Sequence, residues 1–154
     1  MAAHPDERLA VGRLLDAAAN RVREGLRVME DVARFCWDDG ALVEPLKTLR
    51  HDLTAAIQSI ERSTGPLVLF RDTPGDVGTG LTTAGEKVRA DSAALFSANA
   101  KRVQEGFRSL EEGIKLLALE SEAANPFKAL RYTAYTIESD AVRRHPVSEE
   151  TATP

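Results

Sequence analysis

Apolar residues recur along this chain at helical spacing in four blocks. In the first, Leu14, Leu15, Ala18, Val22, Leu26, Met29, Val32 and Ala33, with Gly25 among them, fall within one arc when wound at about 100° per residue. That pattern predicts an amphipathic helix ending near Asp38 to Gly40, where a glycine supplies the stop. Pro45 suits the first turn of a second helix, running to about Arg62 with Leu46, Leu49, Leu53, Ala56, Ile57 and Ile60 inward. A third is expected to start at the capping box "TAGE" from Thr83 or near Asp91 and to run to about Leu119, and a fourth spans Pro126 to about Arg143. The polar "HPVSEETATP" that follows reads as a disordered tail.

The third and fourth blocks are the first and second again. "AANRVREGLRVMED" from Ala18 returns as "NAKRVQEGFRSLEE" from Asn99, and "EPLKTLRH" from Glu44 as "NPFKALRY" from Asn125, every residue displaced by 81 positions. Two copies of one supersecondary unit are a hairpin packed on its duplicate, since solenoid arrays need three or more shorter repeats. The expected fold is therefore all-α, a pseudo-twofold four-helix bundle: one domain over 9–144, with repeats 13–62 and 94–143, a connector 63–90 and a tail 145–154.

The connector has no duplicate. After "LVLF", too short to assign to strand or buried coil, come Pro74-Gly75 and the glycines 78 and 80 around Thr79, with Arg71, Asp72 and Asp76 close by. Charged residues in a glycine-rich span joining rigid helices favour a loop that folds over something, rather than a passive linker.

Within the repeat, R-x-x-E-x-x-R-x-x-E appears as Arg21, Glu24, Arg27, Glu30 and as Arg102, Glu105, Arg108, Glu111. Such pairs are common on solvated helix faces and contribute only tenths of a kcal/mol. Both copies also keep a glycine on the apolar face, although glycine costs about 1 kcal/mol in a helix interior. Gly25 and Gly106 are therefore expected where the long helices cross closely, bringing Arg21 and Glu24 near Arg102 and Glu105. Charges gathered there would either grip phosphates, directly and through Mg²⁺, or close into an ion-pair network locking the halves together. Lys47 with Arg50, and Lys128 with Arg131, add cations at helical spacing.

Composition narrows the classes. A formal net charge of −4 argues against nucleic-acid or membrane-surface partners. The single Cys36 excludes an internal disulfide and is expected to be a small core thiol in a reducing cytosol. No apolar run approaches the ~18 residues of a membrane helix, and the N-terminus lacks signal-peptide order, so a cytoplasmic protein is expected. His4, His51 and His145 are not spaced for zinc or a Ser-His-Asp triad, and "GDVGTG" lacks the lysine of a phosphate loop.

"LLDAAANRVREGLRVMEDVARF", "LKTLRHDL", "RDTPGDVGT" and "ANAKRVQEGFRSLEE", in this order, resemble the hydroxymethylpyrimidine-phosphate kinase family of thiamine biosynthesis that is unrelated to the ribokinase-like enzymes. The resemblance covers about Leu14 to Arg143. Ala18 departs from it, standing where asparagine is expected, as in its duplicate Asn99. The family is often fused in front of a thiamine-phosphate synthase. No barrel follows here, and one needs about 200 residues or more, so a synthase activity is not expected.

The resemblance implies transfer of the γ-phosphoryl group of ATP, with Mg²⁺, to 4-amino-5-hydroxymethyl-2-methylpyrimidine phosphate. For that reaction the residues read above are expected to serve as follows: Arg71, Asp72 and Asp76 of the connector as catalytic residues. Phosphates would be bound by Arg21, Arg27, Arg50, Arg102, Arg108, Arg131, Thr79, Asn20 and Asn99, and Mg²⁺ by Glu24 and Glu105. Thiamine-phosphate synthase is the implied pathway partner, with a homo-oligomer allowed. The alternative is a non-catalytic helical dimerisation or regulatory module, and a third reading is a small-molecule binding protein without turnover.

Overall fold

The computed structural model describes residues 5–83, 88–117 and 125–146. It has four helices, α1 (Pro5–Asp31), α2 (Gly40–Thr64), α3 (Ser92–Ile114) and α4 (Phe127–Arg144), and no strand among the described residues. Each helix packs on two others: α1 on α2 and α3, α4 on α3 and α2. This closed ring is the duplicated hairpin expected from the apolar periodicity. Its core runs from Val11, Leu15 and Val22 through Leu46, Leu49 and Leu53 to Phe96, Phe107 and Phe127.

The α1–α3 crossing is reciprocal. A Cβ on Gly25 would stand 2.7 Å from Val103 Cγ2 and 3.2 Å from the Asn99 carbonyl oxygen, while one on Gly106 would stand 2.5 Å from Val22 Cγ2 and 3.3 Å from the Ala18 oxygen. Val22 and Val103, like Ala18 and Asn99, are repeat equivalents, so the pseudo-twofold axis passes through this contact. Further along, a Cβ on Gly113 would meet Leu14 and Leu15, so residue numbers fall on α3 as they rise on α1 and the helices are antiparallel. Gly25→Leu should therefore overpack the crossing and destabilise by on the order of 1–3 kcal/mol. Thermal or urea unfolding reads this, and an unchanged midpoint would mean the helices separate there without loss.

Several expected boundaries move. Gly40 is not the stop of the first helix. After Asp31 the backbone widens into a π-helical turn, Val32–Cys36, closed by Trp37 N–H to Val32 O (3.1 Å) and Asp39 N–H to Ala33 O (2.9 Å). Asp38 takes the left-handed conformation at φ +48°, and Gly40 opens α2. Pro45 therefore lies inside α2. The helical hydrogen bond it cannot make would have gone to the carbonyl of Ala41, which is exposed and open to water. Cys36 is exposed at the end of the widened turn, rather than in the core.

Helix α3 starts at the second of its two expected positions, with the Asp91 carboxylate accepting from Ala94 N–H (2.7 Å). The "TAGE" box extends outside the described residues. The helix ends at Ile114 in tight turns rather than near Leu119.

The tail is corrected at its first residue. His145 stacks on Trp37 (centroids 4.0 Å, 7°) and lies 2.7 Å from Asp39, whose carboxylate also takes both arms of Arg144 (2.9 and 2.8 Å). These hydrogen bonds, Arg144 first, hold the Asp39 carboxyl well below the usual range, and they explain why it does not cap α2. Residues 147–154 lie outside the described set. None of the described helices is long and apolar enough to cross a membrane.

Candidate functional site

After α2, Gly65 (φ +78°) turns the chain, and Glu61 Oε2 accepts the Leu67 N–H (2.8 Å). "LVLF" then forms a short 3-10 turn, Leu67–Phe70, with Leu67 buried. The Phe70 ring lies flat on Gly12, where a Cβ would stand 2.5 Å from it, so the connector is laid onto α1.

From that anchor the loop faces an outward stripe of α1. Arg13, Asp16, Ala17, Asn20 and Glu24 on the helix, and Arg71, Asp72, Thr73, Asp76 and Thr79 on the connector, line one cleft of about 660 Å³. Arg71 closes it, donating from Nε (2.8 Å) and Nη2 (3.0 Å) to the two oxygens of Asp16. That pairing, followed by the charges of Asp16 and Glu24, raises the Arg71 pKa above its ordinary value. The loop is wound in Asx turns: Asp72 Oδ1 accepts from Gly75 N–H (3.0 Å) and Asp76 Oδ1 from Gly78 N–H (2.8 Å). Each of these carboxylates keeps Oδ2 without a described protein partner, and Glu24 makes no ion pair among the described residues. Asn20 Oδ1 accepts from Arg23 (3.1 Å), leaving its amide N–H groups to the cleft.

Of the sequence candidates, this cleft unites Arg71, Asp72, Asp76, Thr79, Asn20 and Glu24. The others lie elsewhere. Glu30 is buried and pairs with Arg50 (3.1 Å) and Arg27 (3.7 Å), and Glu111 pairs in the same way with Arg131 (2.9 Å) and Arg108 (3.7 Å). Arg131 also donates to Tyr135 Oη (3.0 Å) and lies against the rings of Tyr132 and Tyr135. Arg27, Arg50, Arg108 and Arg131 thus close ion pairs inside each hairpin, whereas Arg21 and Arg102 are exposed, outside the cleft lining and without an ion pair among the described residues.

The charged motifs do not meet on the pseudo-twofold axis, which valine and glycine fill. No ion pair or hydrogen bond joins Arg21 or Glu24 to Arg102 or Glu105 among the described residues. Asn99 donates to Leu95 O (2.9 Å) within α3, and Glu105 is exposed away from the cleft lining.

Two charged cleft residues, Arg13 and Asp16, escaped the sequence reading. Their signal was the stripe R-x-x-D-x-x-x-N-x-x-x-E, whose repeat equivalents are Ala94, Ser97, Lys101 and Glu105. Only the last is kept, and Lys101 pairs with Glu138 (2.7 Å) instead. Of the two repeats, only the first lines the cleft, together with the connector.

Hard carboxylate oxygens from Glu24, Asp72 and Asp76 suit Mg²⁺, an ion commonly held by one or two carboxylates together with substrate phosphates. Among the described residues no three His, Cys, Asp or Glu side chains form a ready-made metal cage.

The model of the ThiD2 family matches residues 13–140. A thiamine-phosphate synthase from Rhodopirellula baltica is 46% identical over 129 residues, which are 84% of this chain and 33% of that protein. One from Synechocystis is 45% identical over 130 residues, 84% of this chain and 36% of the relative, and one from Nostoc punctiforme 40% over 137 residues, 88% and 37%. The chain spans about a third of the length of these curated relatives. No solved structure matches it.

Proposed function

Since the chain belongs to the ThiD2 family, we propose that it acts in thiamine biosynthesis as a hydroxymethylpyrimidine-phosphate kinase, moving the γ-phosphoryl group of ATP onto the phosphate of 4-amino-5-hydroxymethyl-2-methylpyrimidine phosphate. One observation carries this reading: the glycine-rich connector folds onto α1 and brings Arg71, Arg13 and Asn20 into one cleft with Glu24, Asp72 and Asp76. A phosphate oxygen of the acceptor attacks the γ-phosphorus, and ADP leaves. The acceptor's second pKa is near 6, so that oxygen is ionised at pH 7 and no base is needed.

The barrier is repulsion between two polyanions, and positioning with charge stabilisation is what a protein contributes to such a transfer. Arg71 and Arg13 would hold phosphate oxygens, and Asn20 would donate from its amide. One or two of the carboxylates of Glu24, Asp72 and Asp76 would hold Mg²⁺, which when bound supplies charge neutralisation across the phosphates. The cleft's two cations stand among four carboxylates, counting Asp16, so a nucleotide fits better as its magnesium complex than as a bare polyanion.

Asp72→Ala and Asp76→Ala should each slow turnover by about 10²-fold or more, while changing folding stability by less than about 0.5 kcal/mol, as exposed loop positions do. Steady-state assays beside melting curves read both, and wild-type rates in the two variants would reduce the connector to a linker.

The closed pairs at Glu30 and Glu111 favour a second reading, a non-catalytic helical module that serves a thiamine-phosphate synthase partner. Nucleotide binding by the isolated chain separates the two: it is required by the kinase and unnecessary for the module.

A further inference from the structure

We propose that Asp16 is a positioning residue for phosphoryl transfer, holding the plane of Arg71 so that the guanidinium presents its remaining edge to a phosphate; this rests on the kinase reading above. Asp16 is only 5% exposed, set in α1 next to core Leu15. Its two oxygens take Nε and Nη2 of Arg71, which is one complete edge of the fork. Nη1 has no described protein partner, and the Arg71 side chain is 44% exposed along the cleft.

A guanidinium gripped on one edge loses its rotational freedom yet keeps donors for a second anion. The grip also comes from the more rigid partner, because α1 is locked against α3 at the glycine crossing, whereas Asp72 and Asp76 of the connector bond only neighbouring backbone N–H groups in Asx turns. The repeat equivalent of Asp16 is Ser97, which cannot hold an arginine in this way. Nothing about the bundle alone asks for a buried carboxylate here. The core could close with an apolar residue, as isosteric replacement of buried ion pairs often allows.

A tether and a positioning residue differ in what a free guanidinium ion can do. Arg71→Ala should slow turnover by about 10²- to 10³-fold, the loss typical of removing one preorganised donor. Low-millimolar guanidinium should restore about tenfold or more of that loss, because Asp16 still offers the two-oxygen seat that orients the ion. In the Asp16→Asn/Arg71→Ala pair the same guanidinium should restore nothing.

Asp16→Asn alone keeps the side chain's size but turns one acceptor into a donor facing the Nε/Nη2 edge of Arg71. It should lower kcat more than tenfold while raising KM for ATP by less than about threefold. Circular dichroism and melting curves on each variant confirm that folded protein is compared, and the kcat and KM of Asp16→Asn alone carry the test if Arg71→Ala unfolds. Equal rescue with and without the Asp16 carboxylate, or a kcat within about twofold of wild type in Asp16→Asn, would overturn the proposal and leave the kinase reading standing. A wild-type chain that neither binds ATP nor turns it over would instead overturn the kinase reading, and this proposal with it.

Discussion

Supplied with ATP and Mg²⁺, the protein should phosphorylate the hydroxymethylpyrimidine monophosphate and leave the free pyrimidine alcohol essentially untouched, a preference of several orders of magnitude. The alcohol fails twice in this cleft. Its hydroxyl is not ionised at pH 7 and must give up a proton during the transfer, which the monophosphate has already lost. It also lacks the dianion that Arg71, Arg13 and Asn20 would contact. Each lost charge-assisted hydrogen bond is worth about 1.5–3 kcal/mol. Two of them correspond to roughly 10²- to 10⁴-fold in rate, before the unactivated hydroxyl is counted. Parallel steady-state assays on both acceptors measure the ratio, and comparable rates would remove the phosphate-gripping mechanism.

The largest loss of stability should come from Arg131→Ala. Its guanidinium is buried, donates twice to Glu111 and once to Tyr135, and lies against two tyrosine rings. Removing it leaves the buried Glu111 carboxylate with only Arg108, 3.7 Å away and mostly exposed. Breaking a buried pair from one side costs about 3–5 kcal/mol, whereas replacing both partners with apolar residues of similar size is often neutral. Arg131→Ala should therefore lower the urea midpoint sharply, and Arg131→Met combined with Glu111→Leu should recover most of the loss. Arg50→Ala should cost less, because Arg50 is more exposed and has no tyrosine against it. A fully stable but phosphate-blind Arg131→Ala would return these arginines to ligand binding.

The bundle was legible in the sequence because its determinants are periodic. The apolar stripe, the repeat offset and the glycines at 25 and 106 each follow from spacing alone, and reciprocal packing is their direct expression. The turn after α1 was not legible. A glycine after two aspartates reads as a helix stop, but Asp38 took the left-handed conformation and a widened helical turn moved the register, freeing Gly40 to begin α2.

The candidate site was half legible for a related reason. Reading the duplicate selects what both copies share, and most of those shared charges, Arg27 and Arg50 with Glu30 and Arg108 and Arg131 with Glu111, neutralise one another. Apart from the shared Glu24, the polar side chains of the cleft lie where the copies differ, at Arg13, Asp16 and Asn20 and in a connector that has no duplicate. Arg71, Asp72, Asp76 and Thr79 could be singled out by composition, but the buried aspartate that receives Arg71 lies 55 positions earlier, beyond any local pattern.

The reciprocal glycine contact also bears on ancestry. Two separate copies of a single hairpin, crossing as α1 and α3 do here, would make an isologous dimer in which Val22 of each chain covers the crossing glycine of the other. In such a dimer every substitution is written twice, so a cleft on one hairpin would be repeated on its mate. Joining the hairpins in one chain lifts that constraint. The first copy could then carry Arg13 and Asp16 while the second carries Ala94 and Ser97 and uses Lys101 to hold α4 through Glu138, so a fused chain can specialise one half of such a dimer.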